Sequence, residues 1–220
     1  MNNILVISPH PDDEAIGVGG TIRKHVDGGD QVSVIFLTSG GRGGHGKSEI
    51  ETIKIREEEA HKAKDILKIS SLDFWNEPDG ALDVSDENVN RLKKTIETLR
   101  PAIIYVPHEH EQHPDHRAAA QLVRQAMINL NGNGKKPIVY MYEVWTPLQQ
   151  LDHILDITPY ADIKRSAIMA YRSQCDYVKF DEAILSLNRY RGEMHSWPGG
   201  DFAEVFMTMR VKHHLGKIHS

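Results

Sequence analysis

The sequence predicts an α/β fold, a doubly wound and mostly parallel sheet with helices on both faces. Three observations point there. Strand-like runs alternate with segments of helical spacing from residue 4 to residue 145. The crossovers between those runs are long enough for right-handed βαβ units. The first run, Ile4 to Ser8, is short, apolar and closed by Pro9, the pattern of a buried strand.

The elements follow in order. After the first strand, Ala15 to about Val26 carries apolar residues at helical spacing until Gly28-Gly29 stops it. Gln31–Thr38 is rich in β-branched residues and reads as the second strand. A glycine-rich loop, Gly40–Lys47, leads to a helix from Glu49 to about Leu67. Leu72–Trp75 is a short third strand, and Pro78-Asp79-Gly80 is a turn. Ser85 suits an N-cap, with a helix from Val89 to Leu99 behind it. Pro101 ends that helix, and Ala102–Val106 is the fourth strand. A helix from Arg117 to about Leu130, a loop at 131–136 and a fifth strand, Ile138–Trp145, complete the alternation. Beyond it, Ile163–Tyr171 and Ala183–Gly192 read as helices and Ala203–Val211 as a late strand.

The 220 residues suit one domain, 1–220, in which 1–145 form the α/β core and 146–220 complete the crevice beside it. Hydrophobic residues at 40% and charged residues at 26% exclude a disordered chain. A net charge of −5 argues against a nucleic-acid partner, whose groove needs a basic patch. No stretch approaches the ~18 apolar residues of a membrane span. Met1 runs straight into a strand without a signal-peptide pattern. Cys175 is the single cysteine, so no intramolecular disulfide forms. These properties describe a cytoplasmic enzyme.

Its chemistry lies in two clusters, Pro9-His10-Pro11-Asp12-Asp13-Glu14 and His113-Pro114-Asp115-His116. The first follows strand one and the second follows strand four. In a sheet of order 3-2-1-4-5 those strands are neighbours at the switch point, where loops from their C-terminal ends enclose a crevice. Fold and chemistry therefore predict one location. His10 and Asp13, three apart at a strand-to-helix turn, can face one metal ion, with His116 as the third ligand and a fourth position left for water. Asp12 then stands beside the metal as general base. His113 is placed to stabilise a tetrahedral oxyanion or to protonate a leaving amine. Asp115 is placed to hold His113 or His116 in the required tautomer. Glu14 divides evenly between a helix-start residue and a site role.

Gly41 to Gly46 matches a dinucleotide-binding glycine pattern, but it follows the second strand and lacks the acidic partner that pattern requires. A loop over the crevice, with Arg42 or His45 touching substrate, is the better reading. Arg56 is a second candidate for substrate binding, against a plain helical ion pair with Glu59. Cys175 reads as a buried apolar residue.

At these residues the chain resembles the LmbE-like, or PIG-L, family of zinc-dependent N-deacetylases. Pro9 to Gly20 (PHPDDEAIGVGG) is similar to the family's first motif and HPDH at 113–116 to its second. Arg56–Glu59, Lys164–Gln174 and Gly192 through Ala203-Glu204 are weaker family-like features. The resemblance implies a Rossmann-like fold and Zn(2+), or another divalent ion, on His10, Asp13 and His116. It implies Asp12 as base and His113 as oxyanion stabiliser. The implied substrate is an N-acetylglucosaminyl compound, such as a bacillithiol or mycothiol precursor, a glycolipid precursor or a chitin-derived sugar. The implied assembly is a homo-oligomer. Tyr171 departs from the pattern, since many relatives carry histidine there. A two-metal phosphoesterase, which wants more carboxylates, and a non-catalytic sugar-binding protein are the competing expectations.

Overall fold

The computed structural model describes residues 1–130, 136–195 and 200–211. Among these residues, seven strands form one sheet of order β3-β2-β1-β4-β5-β7-β6. The strands are β1 Asn3–Ser8, β2 Gln31–Thr38, β3 Ser71–Glu77, β4 Ile103–Pro107, β5 Ile138–Tyr142, β6 His153–Asp156 and β7 Ala203–Thr208. The first five pair in parallel in the expected order, and β7 adds antiparallel to both β5 and β6. The helices are α1 Asp13–Asp27, α2 Glu49–Leu67, α3 Asp86–Leu99, α4 Pro114–Ile128, α5 Ala161–Ala170, α6 Arg172–Cys175 and α7 Phe180–His195.

Period-two alternation in β1 divides the core. Ile4 and Val6 pack with Ile16 and Ile22 of α1, Ala63 of α2 and Ile168 of α5. Leu5 and Ile7 point the other way, among Leu92 of α3 and Val123 of α4. A central strand covered on both faces has to be apolar at every position, which is why β1 reads as a continuous hydrophobic run. Ser85 caps α3 by accepting from the Asn88 N–H. Ser48 and Glu51 form a reciprocal capping box that starts α2 at Glu49.

The glycines of the first motif have a packing reason. A Cβ on Gly17 would lie 2.3 Å from the Tyr142 ring, and one on Gly20 would lie 2.8 Å from Ile157. Helix α1 therefore approaches β5 as closely as its backbone allows. Non-helical dihedrals at Val18 kink it and interrupt the local hydrogen-bond ladder. The Glu204 carboxylate, reaching from β7, accepts from the Gly20 N–H at 2.9 Å and the Thr21 N–H at 2.7 Å. Lys164 of α5 closes the pair from the other side at 2.6 Å.

Several expected boundaries shift, and three of them bear on the site. Helix α1 begins at Asp13 rather than Ala15, and α4 at Pro114 rather than Arg117, so both motifs run into first helical turns. Strand β5 ends at Tyr142, not Trp145, because the next amides leave the ladder for the Glu111 carboxylate. The four-residue edge strand β6 was not expected, since HILD is too short to show a period. The loop expected at 131–136 lies largely outside the described residues.

Candidate metal centre and its pocket

Parallel pairing of β1 with β4, with Ile4 opposite Ile103 and Val6 opposite Tyr105, brings the two following loops together. The His10 and His116 ring centroids stand 5.3 Å apart, and those of His10 and His113 4.7 Å apart. A cavity of about 300 Å³ opens over them, lined in part by Asp12, Asp13, Arg42, Arg56, Asp79 and His113.

One carboxylate oxygen gathers the centre. Asp13 Oδ2 accepts from the His10 backbone N–H at 2.9 Å and lies 3.2 Å from both His10 Nδ1 and His116 Nε2. The His116 contact is off the line of a hydrogen bond, so among the described residues neither ring nitrogen of this fully buried histidine has a hydrogen-bond partner. Buried polar atoms rarely stay unsatisfied. Burial alone would lower the His116 pKa, but the Asp13 carboxylate outweighs it and pushes the imidazole up to about 9. Burial would raise Asp13, yet the two histidines hold it well below the usual carboxylate range. Strong proton affinity at converging imidazoles, around a carboxylate held ionised, is the donor chemistry of a divalent-cation site. The residues present fit such an ion. His10, His113 and His116 also offer nitrogens within 4.8 Å of one another, and His10, Asp79 and Asp115 form a second such group.

The carboxylate partners differ from expectation. Asp115 was expected to hold His113 or His116, but its Oδ2 lies 3.1 Å from His10 Nε2 and 4.0 Å from His113 Nδ1. The first turn of α4 aims the Asp115 side chain across to the Pro78–Gly80 turn, where it accepts from the Gly80 and Leu82 amides. Those bonds and His10 hold its pKa down to about 2 against the opposing effect of burial. Behind His116 stands Glu111 instead, 3.8 Å from Nδ1 and 1% exposed. Glu111 also accepts from the Val144, Trp145 and Thr146 amides. Asp79 is the other residue the sequence reading passed over, with Oδ1 3.3 Å from His10 Nε2 and Oδ2 accepting from the Arg42 amide. Its Pro-Asp-Gly setting reads as turn chemistry and hides the site role. Glu111 had one available signal, a carboxylate two residues before the second motif.

Outer carboxylates set the basicity and direction of metal-binding imidazoles. Glu111→Gln is accordingly expected to weaken divalent-cation affinity about 10- to 100-fold, measured by competition with a chromogenic chelator. Unchanged affinity would show that His116 needs no such support.

Asp12 sits where α1 begins, at φ 131°, a backbone conformation rare outside glycine. Burial pushes its carboxyl up to about 7, opposed by the Arg56 guanidinium 3.0 Å away. Arg56 is 4% exposed, and its other bonds go to the Gly40 and Pro11 carbonyls. It therefore positions Asp12, and the alternative partner Glu59 instead accepts from Ser173. His113 caps α4, its Nδ1 accepting from the Asp115 amide at 3.2 Å. That bond places the ring proton on Nε2. Burial, then the charges of His10 and His116, hold its pKa below the usual value, so the ring is a neutral donor.

The glycine-rich loop lies beside the cavity. His45 stacks on Tyr177 at 3.7 Å between centroids, and the Gly43 carbonyl accepts from Gln174. Arg42 is exposed and lines the cavity. Tyr171 is buried and donates to Glu14 Oε1 at 2.7 Å, while Glu14 Oε2 accepts from the Asp12 amide. Glu14 thus braces the turn carrying Asp12. Cys175 is buried, as expected. No helix among the described residues is long and apolar enough to cross a membrane.

Comparison with known proteins shows what the chain is similar to. Residues 5–127 match the family described as PIG-L: GlcNAc-PI de-N-acetylase. The diacetylchitobiose deacetylase of Thermococcus kodakarensis is 31% identical over 191 residues, covering 79% of this chain and 70% of that protein. A probable N-acetyl-alpha-D-glucosaminyl L-malate deacetylase 2 of Bacillus cereus is 31% identical over 187 residues, covering 79% of this chain and 84% of that one. The structure of N,N'-diacetylchitobiose deacetylase from Pyrococcus horikoshii superposes with a TM-score of 0.83 at 27% identity, covering 94% of this chain and 84% of that one.

Proposed function

From the premise that the chain belongs to the PIG-L, or LmbE-like, family, we propose that it is a metal-dependent N-deacetylase. It hydrolyses the acetamide of an N-acetylglucosamine-type sugar or conjugate to the free amine and acetate. The observation that carries this reading is the pairing of a buried carboxylate, Asp12, with a neutral imidazole donor, His113, on one cavity beside the His10–Asp13–His116 cluster.

Each residue has a role in the reaction. His10, Asp13 and His116 would hold the cation, Zn(2+) by family resemblance. When bound it supplies Lewis acidity, polarising the acetamide carbonyl and lowering the pKa of water. Asp12 accepts the proton of the attacking water and returns it to the departing nitrogen. Arg56 keeps Asp12 directed at the cavity through the 3.0 Å contact. His113 donates from Nε2 to the oxygen on which charge develops. Asp115 and Asp79 hold His10 from its Nε2 side, and the Glu111 carboxylate stands 3.8 Å behind His116 Nδ1. Arg42, the exposed cation on the lining, contacts substrate.

Amine release from a panel of N-acetylated sugars tests the reading. Chelation is expected to abolish release, and one equivalent of zinc to restore it. Turnover of a phosphate ester with none of an acetamide would reverse the assignment. Sugar binding without turnover in the zinc-loaded protein would leave a binding protein.

A further inference from the structure

A second cavity adjoins the first. It measures about 280 Å³ and is lined by Gln112, His113, Pro114 and Trp145. His113 and Trp145 line both cavities. A ligand whose acetamide oxygen lies at His113 therefore has the indole beside its next group.

Trp145 is held for such a contact. The residue is 50% exposed, although burying an indole would stabilise the fold. Its backbone is nonetheless fixed, with the amide donating to both Glu111 oxygens at 3.1 Å. The flanking amides of Val144 and Thr146 donate to the same carboxylate. Phe180 meets the indole at an interplanar angle of 82°, and among the described residues no ring stacks on it. A preorganised indole with an unstacked face binds a ring at low entropic cost.

Charge selects the kind of ring. The described lining of the second cavity contains no Lys, Arg, Asp or Glu. Arg117, next to the second motif, directs Nη1 to the Glu111 and Gln112 carbonyls at 2.7 and 2.6 Å. An anionic group placed there would lose hydration without finding a cation.

We propose that the Trp145 cavity is a subsite for a second, uncharged sugar ring. The preferred substrate is then an N-acetylated amino sugar within a neutral di- or oligosaccharide, in preference to one joined to an anionic group. This inference rests on the deacetylase reading for the position of the acetamide.

The test compares kcat/KM for di-N-acetylchitobiose, N-acetylglucosamine and N-acetylglucosamine 1-phosphate in zinc-loaded wild type, Trp145→Tyr and Trp145→Ala. Wild type is expected to favour the disaccharide over the monosaccharide by roughly three- to tenfold, the range of one aromatic stacking contact. Trp145→Ala brings that ratio close to one, and Trp145→Tyr keeps most of it. An unchanged ratio in Trp145→Ala, or preference for the phosphorylated sugar, overturns the proposal. Calorimetry of di-N-acetylchitobiose on Asp12→Asn protein, with and without Trp145→Ala, separates the two readings. If no acetamide is cleaved the deacetylase assignment falls. Trp145-dependent binding then keeps the subsite, and equal binding to both proteins removes it.

Discussion

Asp12→Asn is expected to lower kcat for amine release by roughly 10²- to 10⁴-fold, the usual contribution of a general base. Asparagine preserves the shape of the side chain and its contact with Arg56 but cannot take a proton from water. It is the substitution of choice because residue 12 adopts φ 131°, and asparagine tolerates positive φ far better than alanine. The variant should purify with a full complement of metal, since His10, Asp13 and His116 are untouched. Metal content by atomic emission, together with kcat under saturating substrate, checks the result. A kcat within threefold of wild type would remove Asp12 from the proton path and move that role to another group on the cavity.

Lys164→Met is expected to destabilise the fold by about 3–5 kcal/mol, the cost of leaving one member of a buried ion pair without its partner. Lys164 and Glu204 are 0% and 1% exposed. Burial lowers the Lys164 pKa against the opposing pull of Glu204. Among the described residues, removing the ammonium leaves a carboxylate compensated by the Gly20 and Thr21 amides alone. The site should feel the loss, because those amides lie in the kinked helix that begins at Asp13. The thermal midpoint should fall by about 6–20 °C, at roughly 2–4 °C per kcal/mol for a chain of this size. Lys164→Met combined with Glu204→Gln should recover part of that loss, since no buried charge is then left alone. A loss below 1 kcal/mol in the single variant, measured by urea unfolding, would show that water reaches Glu204.

Much of this molecule was legible from local patterns. The apolar run Ile4–Ser8 and the β-branched run Gln31–Thr38 marked strands at nearly their observed ends. Ser85 started its helix as the expected N-cap. The first-motif glycines could be seen but not explained, because their reasons are Tyr142 and Ile157, more than a hundred residues away. Trp145 was expected inside a strand and therefore in the core. It left both because Glu111 competes for the amides that would have continued β5.

The sequence by itself determined the parallel sheet, its switch point and the meeting of the two histidine–aspartate motifs. Those follow from periodicity and chain order, which neighbouring residues encode. Only the tertiary structure decided which carboxylate supports which imidazole: Asp115 and Asp79 took His10, Glu111 took His116, and Arg56 took Asp12 in place of Glu59. A hydrogen bond depends on direction and on separations of a few tenths of an ångström. That geometry is set by how α1, α2 and α4 lie on the sheet, and no spacing along the chain records it.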